Sequence, residues 1–167
     1  MAKVTVALAE DRPAIANMMQ LYMHDFSAQW ADLPRGELGD DGLFDAYPLD
    51  PYWRAADHIP LLIRAGDNLA GFALLNAASH SGRTLDRNMA EFFIARKHRR
   101  GGVGTLAARA IFSRYPGQWE AAVARRNVDA LPFWRNAAAH ADSVEELDLN
   151  TPEWNGPVLR FVIQPPA

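Results

Sequence analysis

Two stretches of the chain hold residue types that could do chemistry. The first is Arg96-Lys97-His98-Arg99-Arg100-Gly101-Gly102-Val103-Gly104, a basic run closed by three glycines. Glycine lets a backbone approach a ligand closely and turn through positive φ. A helix that starts here presents unpaired N–H groups to whatever lies beyond its end. Basic charge, glycines and a helix N-terminus together describe a site for a phosphorylated ligand. The second is Glu91, a single carboxylate in the apolar-aromatic run Glu91-Phe92-Phe93-Ile94. Partial burial raises a carboxyl pKa, which suits a group that must accept a proton near neutral pH. The bland alternative is a strand-edge Glu paired with a neighbouring Arg. His80 and His98 rival Glu91 as bases, although the basic run around His98 should depress its pKa.

Other chemistries lack their residues. There is no Cys, hence no disulfide, thiolate metal site or Cys nucleophile. His24, His58, His80, His98 and His140 show no paired metal-ligand spacing, so no metal is expected. No Gly-x-Ser-x-Gly elbow occurs, and no Lys-Ser/Thr follows the glycines as a nucleotide-binding P-loop requires.

The elements that must position these residues follow from periodicity. Lys3 to Leu8 alternates as a strand. Asp11 and Pro13 signal a helix start, and Ile15, Met18, Met19, Tyr22 and Phe26 keep helical spacing, predicting a helix to about Trp30. Its Tyr22, His24 and Asp25 are pocket candidates, set against a core Tyr22 and a solvated His24 and Asp25. Residues 31–57 hold seven acids with Tyr47, Tyr52 and Trp53, and read as irregular loop with a short helix. Acidic and aromatic side chains together suit a cationic amine. Ile59 to Arg64 and Leu69 to Ala77 form a hairpin about Ala65-Gly66-Asp67-Asn68, and Met89 to Ile94 is the third antiparallel strand. Alternation puts Glu91, Phe93 and Ala95 on one face of that strand and Phe92 and Ile94 on the other. Val103, Leu106, Ala107, Ala110 and Ile111 form the apolar stripe of the next helix. Trp119 to Ala124 is a strand, Asn127 to about Ala139 a helix, and Val144 to Leu149 and Val158 to Ile163 are the last strands.

A chain of 167 residues with 49% hydrophobic composition predicts one domain with an ordinary core. No apolar run approaches the roughly 18 residues of a membrane helix. The N-terminal segment has too short an apolar stretch for a signal peptide. With no Cys, that fits a cytoplasmic protein. Net charge is −3, yet residues 96–135 carry nine basic and two acidic side chains. The cationic segment coincides with the proposed phosphate site. Overall acidity argues against nucleic acid.

At Arg99-x-x-Gly102-x-Gly104 the chain resembles the GNAT superfamily of N-acetyltransferases, whose signature is [Q/R]-x-x-G-x-[G/A]. A second element, Asn127-x-x-Ala130-x-x-Phe133-Trp134, resembles the family's N-x-x-A-x-x-[F/L]-Y. The fuller run is similar to a bacterial subgroup of predicted acetyltransferases, most clearly over Leu69 to Arg135. The resemblance implies an α/β (α+β) acyl-CoA N-acyltransferase fold, with a mixed, mostly antiparallel sheet flanked by helices. It implies that Arg99, Arg100, Gly101, Gly102, Val103, Gly104 and Thr105 form the turn that holds the pyrophosphate of acetyl-CoA through backbone amides. Asn127 would bond the pantetheine arm, and Ile94, Phe133 and Trp134 would complete the cofactor site. Glu91 stands where several family members place their catalytic Glu. Trp134 occupies the position of a Tyr that often protonates the departing thiolate, which puts that acid in doubt and leaves Tyr22 and Tyr115 as phenols. The expected function is direct acetyl transfer from acetyl-CoA to a small amine, without metal, nucleic acid or membrane partners. A homodimer is left open. The alternative, favoured by Trp134, is a CoA-binding sensor or subunit without turnover.

Overall fold

The chain runs β1 (Ala2–Val6), α1 (Arg12–Ser27), β2 (Ile59–Ala65), β3 (Asn68–Asn76), β4 (Arg87–Ile94), α2 (Val103–Arg114), β5 (Gly117–Ala122), α3 (Ala130–Ala137), β6 (Ser143–Asn150) and β7 (Asn155–Ile163) in a computed structural model that describes residues 1–165. The seven strands form one mixed sheet in the order β1-β2-β3-β4-β5-β7-β6. Every neighbouring pair is antiparallel except β4 and β5. A parallel pair needs a crossover, and α2 supplies it.

Each face of the sheet carries its own core. On one face Ile15, Met18 and Met19 of α1, spaced i, i+3 and i+4, pack with Leu62, Phe72, Leu74 and Phe93. On the other, Ala107, Ala108, Ile111 and Phe112 of α2 and Trp134 and Ala137 of α3 pack with Leu61, Ile63, Leu75, Trp119 and Phe161. The stripe of α2 therefore differs from the predicted one. Leu106 is 53% exposed while Ala108 and Phe112 are buried. Two consecutive alanines on the inward face let this helix lie close to the sheet, and the larger Leu106 is turned out.

Helix boundaries also differ. Helix α1 ends at Ser27 rather than Trp30, where backbone bonds from Gln29 and Trp30 to Phe26 and Ser27 tighten the chain into turns. Asn127 lies in a turn before α3, which begins at Ala130. In the 31–57 segment the short helix is a 3-10 turn at Asp50–Trp53.

Two local features shape the centre of the sheet. In β4, Leu74 faces Glu91 and Leu75 faces Met89, so Ala90 is an extra residue forming a bulge. Met89 consequently joins the core on the α2 face although Glu91 lies on the α1 face. Beside it, β4 pairs with β5 only at Arg87↔Trp119 and Asn88↔Glu120. Past Asn88 the two strands separate.

The β3–β4 loop is held down by one buried carboxylate. Glu120 is fully buried and forms an ion pair with Arg160, its partner across the β5–β7 ladder. It also accepts from the hydroxyls of Ser79 and Ser81 and, at 2.8 Å, from the backbone N–H of His80. Burial raises its pKa, but these hydrogen bonds outweigh that and hold it below the usual value. Arg160 donates as well to the Thr84 carbonyl at 3.0 Å, so His80 is presented from a fixed loop.

Candidate active site

The gap between β4 and β5 opens into a cleft of about 490 Å³. Glu91 sits on its wall, partly buried, with Tyr22 from α1 and Tyr47 from the 31–57 segment beside it. Burial pushes the Glu91 carboxyl up to about 7, against hydrogen bonds from Tyr22 and Tyr47 that lower it. Both phenols move the other way. Burial, then the Glu91 charge, raises Tyr22 well above the ordinary value and raises Tyr47 too. At neutral pH the phenols keep their protons, and the carboxyl is poised between its two forms.

One end of the cleft is aromatic. Tyr22 meets Phe26 edge-on at 4.8 Å, and Phe26 stacks on Trp30 at 5.7 Å. Also on the cleft wall, His80 meets Trp154 of the β6–β7 loop edge-on at 4.5 Å. His80 is lowered below its ordinary pKa by burial, so it is neutral at pH 7. It lines the same cleft as Glu91. His98 lies instead in the 3-10 turn Arg96–His98 that follows β4.

The other end leads to α2. Phe92, Asn127, Phe133 and Trp134 line the cleft there. Trp134 is 8% exposed, with its ring against Phe92 at 5.2 Å and Phe133 at 4.9 Å. It is therefore a core side chain with one edge on the cleft. Asn127 reaches the cleft from the turn before α3. Beyond Phe133 lies the glycine turn. Gly102 caps α2 at φ 81°, where a left-handed backbone is needed and a side chain is strained. Arg100 also has positive φ, 62°. The first-turn N–H groups of α2, including those of Val103, Gly104 and Thr105, have no intrahelical acceptor. A Cβ added at Gly101 or Gly102 would meet nothing within 4 Å, so the space above the turn is open. At Gly104 it would come within 3.2 Å of Phe133 and 3.5 Å of Ile94, so that glycine serves the packing of α2 on α3 and β4.

These features fit acetyl-CoA. Open space over unpaired N–H groups suits a pyrophosphate, and the unpaired β5-facing edge of β4 suits an extended arm with amide groups. The basic run divides in two. Arg96 and Arg99 both pair with Asp25 of α1, and Arg99 Nε donates to the Ile94 carbonyl at 2.6 Å. Burial would raise Asp25, but the two arginines hold it below the usual range. The side chains of Arg99 and Asp25 thus fasten α1 to the turn, and Asp25 is neither solvated nor a pocket residue. Tyr115 lies at the end of α2 under Arg87 and Arg114, away from the cleft, so Tyr22 and Tyr47 are the phenols near Glu91.

Tyr47 was not singled out as a partner of Glu91 by the sequence, nor were Trp154 and Arg35 as cleft residues. The only signal for them is aromatic and basic content in two irregular loops. Among the described residues, no group of three or more His, Cys, Asp or Glu is placed to hold a metal, and no helix is long and apolar enough to cross a membrane.

The profile of the Acetyltransferase (GNAT) family matches residues 15–138. No curated protein matches the chain in sequence. Solved structures share the fold at low identity. An aminoglycoside acetyltransferase AAC(6')-Ib in complex with coenzyme A and kanamycin has a TM-score of 0.61 at 14% identity, with 97% of this chain and 94% of that chain covered. The PaiA N-acetyltransferase of Thermoplasma acidophilum, in complex with coenzyme A, has a TM-score of 0.60 at 10% identity, covering 97% and 99%. The spermidine N-acetyltransferase of Vibrio cholerae, with CoA and spermine, has a TM-score of 0.54 at 13% identity, covering 97% and 94%.

Proposed function

Since the chain belongs to the GNAT acetyltransferase family and is an acetyl-CoA-dependent N-acetyltransferase, we propose that Glu91 is its general base and that the cleft beside it takes a small amine. Acetyl-CoA supplies an activated acetyl group as a thioester. The N–H groups of Val103, Gly104 and Thr105 would bind its pyrophosphate above Gly101 and Gly102, with Arg100 adding positive charge. Asn127 would bond the arm lying along β4 past Asn88, and Ile94, Phe133 and Trp134 would wall the site. Arg99 would act through its tie to Asp25 and the Ile94 carbonyl, holding the turn in place.

In the reaction Glu91 takes a proton from the acceptor nitrogen. The new N–C bond forms as the C–S bond breaks, and CoA leaves as its thiolate. Tyr22 and Tyr47 hold the Glu91 carboxylate and stand as proton donors close to the reacting atoms. Trp134 has no proton to give at neutral pH. A free thiol ionises near pKa 8.5, so a thiolate is a tolerable leaving group without full protonation. The two phenols in the cleft weaken the case for a module without turnover, which rested on Trp134 alone. We take residues 1–167 as one catalytic unit.

One observation carries this reading. Glu91, raised to about 7 by burial, faces the gap between β4 and β5 from which the glycine turn is reached. The test is thiol release from acetyl-CoA over a panel of small amines, with Glu91→Gln as control. Turnover by the native protein that the Gln variant retains in full would remove Glu91 from the mechanism.

A further inference from the structure

The acids of the 31–57 segment do not face the cleft. Asp32 pairs with Arg126, Asp50 with Arg12 and Asp57 with His58. Among the described residues that line the cleft, Glu91 is the only acid. The sequence-based expectation of an acidic acceptor site is therefore not what this segment builds. The charge it does bring is positive. Arg35 lines the cleft with its guanidinium 4.8 Å from the centre of the Trp30 ring. No ion pair among the described residues uses it.

Trp154, from a different loop, lines the cleft with its ring, its indole nitrogen being closed off from solvent. An Arg side chain only donates hydrogen bonds. With one guanidinium on its wall and no acid besides Glu91, what the acceptor end lacks is a group rich in lone pairs. A polyamine offers more donors and more positive charge, and it would find no carboxylate here besides the one that must take the proton. A carboxylate on the ligand answers Arg35, since it accepts in up to four directions and can meet a guanidinium face to face. Beside Arg35, Phe26 stacked on Trp30 gives a flat apolar wall.

We propose that the acceptor of this enzyme is a small amino carboxylate with a flat apolar body, its amine at Glu91 and its carboxylate held by Arg35. The assignment rests on the acetyl-transfer reading above and leaves its chemistry unchanged. The N–C bond forms, the C–S bond breaks, the amine proton goes to Glu91 and the CoA thiolate leaves.

The experiment measures thiol release at saturating acetyl-CoA with pairs of acceptors that differ only in the carboxylate. Phenylalanine is set against phenethylamine, and tryptophan against tryptamine, with spermidine as the polycation. The carboxylated member of each pair should have the higher kcat/KM by about tenfold or more. Arg35→Ala should lower kcat/KM for phenylalanine by about 10- to 100-fold, the range of a hydrogen bond to a charged group, mostly through KM. It should leave phenethylamine within about twofold, and Arg35→Lys should restore part of the loss. Better turnover of spermidine or of the decarboxylated amines overturns the proposal and leaves acetyl transfer standing. So does an Arg35→Ala variant that weakens both members of a pair alike. If no amine releases thiol although acetyl-CoA raises the melting temperature, small-amine transfer is itself refuted and this assignment with it.

Discussion

Replacing Glu91 by Gln separates the two things that burial does to this residue. In the fold its carboxyl is raised from 4.5 to about 7. Each pKa unit corresponds to about 1.4 kcal/mol, so ionising Glu91 inside the protein disfavours the folded state by about 3 kcal/mol relative to the unfolded chain. The sign follows from proton binding. Between pH 4.5 and 7 the folded form holds a proton that the unfolded form has lost, so stability falls as pH rises. It is fully present below about 4.5 and levels off above about 7. Gln does not titrate. The stability of Glu91→Gln relative to the native protein should therefore climb by about 3 kcal/mol from pH 4.5 to pH 8. For a chain of this size that is a relative gain of about 6–12 °C in melting temperature. Turnover should move in the opposite direction. Loss of a general base costs about 10²–10⁴-fold, and the bend near pH 7 in native kcat/KM should be missing from the variant. Thermal melts across pH with matched rate profiles give both readouts. A stability difference flat with pH would mean that Glu91 ionises as an ordinary surface carboxylate. Glu91 would then not be a buried base, whatever the rates show.

Other expectations follow from the same geometry. Tyr47→Phe removes a hydrogen bond that lowers the Glu91 pKa, so the bend in kcat/KM should move from about 7 toward higher pH; a profile that does not move, or moves down, removes Tyr47 from the site. Gly102→Val should abolish the melting shift of about 5–10 °C expected at acetyl-CoA concentrations near 100 times Kd, because a branched residue resists φ 81° and would fill the space above the turn; a retained shift would move the pyrophosphate elsewhere. Trp134→Phe should lower turnover by less than about tenfold with acetyl-CoA binding kept, since the ring is mainly a core group against Phe92 and Phe133. A hundredfold loss would show that the indole N–H holds the thiolate or carbonyl oxygen directly.

What the sequence made legible was local. Gly66 and Asp67 mark the β2–β3 hairpin by turn chemistry, and Gly102 and Gly104 mark the strand-to-helix turn because few other residues fit there. Glu91 stands out because it lies where several members of the resembled family place a Glu, on the strand that enters the glycine turn. The remainder depends on contacts between distant residues. Tyr47 reaches Glu91 from a segment with no period, and Arg99 finds Asp25 across 74 positions. The basic run predicted the sign of the local charge but not that two of its arginines would be spent on α1. Likewise the acids of residues 31–57 were visible, while the arginines that turn Asp32 and Asp50 from the cleft lie far off in the chain. The start of α3 is hidden in the sequence because Asn127 keeps helical spacing with Ala130 and Phe133 while itself standing in a turn.

The bulge at Ala90 has a consequence for how such a chain tolerates insertions and deletions. Remove Ala90 and strand β4 becomes regular: Met89 still faces α2, Glu91 still faces α1, and no hydrophobic residue changes sides. The extra residue is needed for neither core, and an apolar residue among apolar neighbours leaves no mark in the hydropathy pattern. What it alters is the path of the backbone, because a bulge bends its strand and sharpens its twist just where β4 and β5 lose their pairing at Asn88 and Glu120. Without it the two edges are free to run on side by side and zip the gap shut. The gap between β4 and β5 thus opens beside a single residue of surplus length, in a strand that would otherwise fold as sound and featureless sheet.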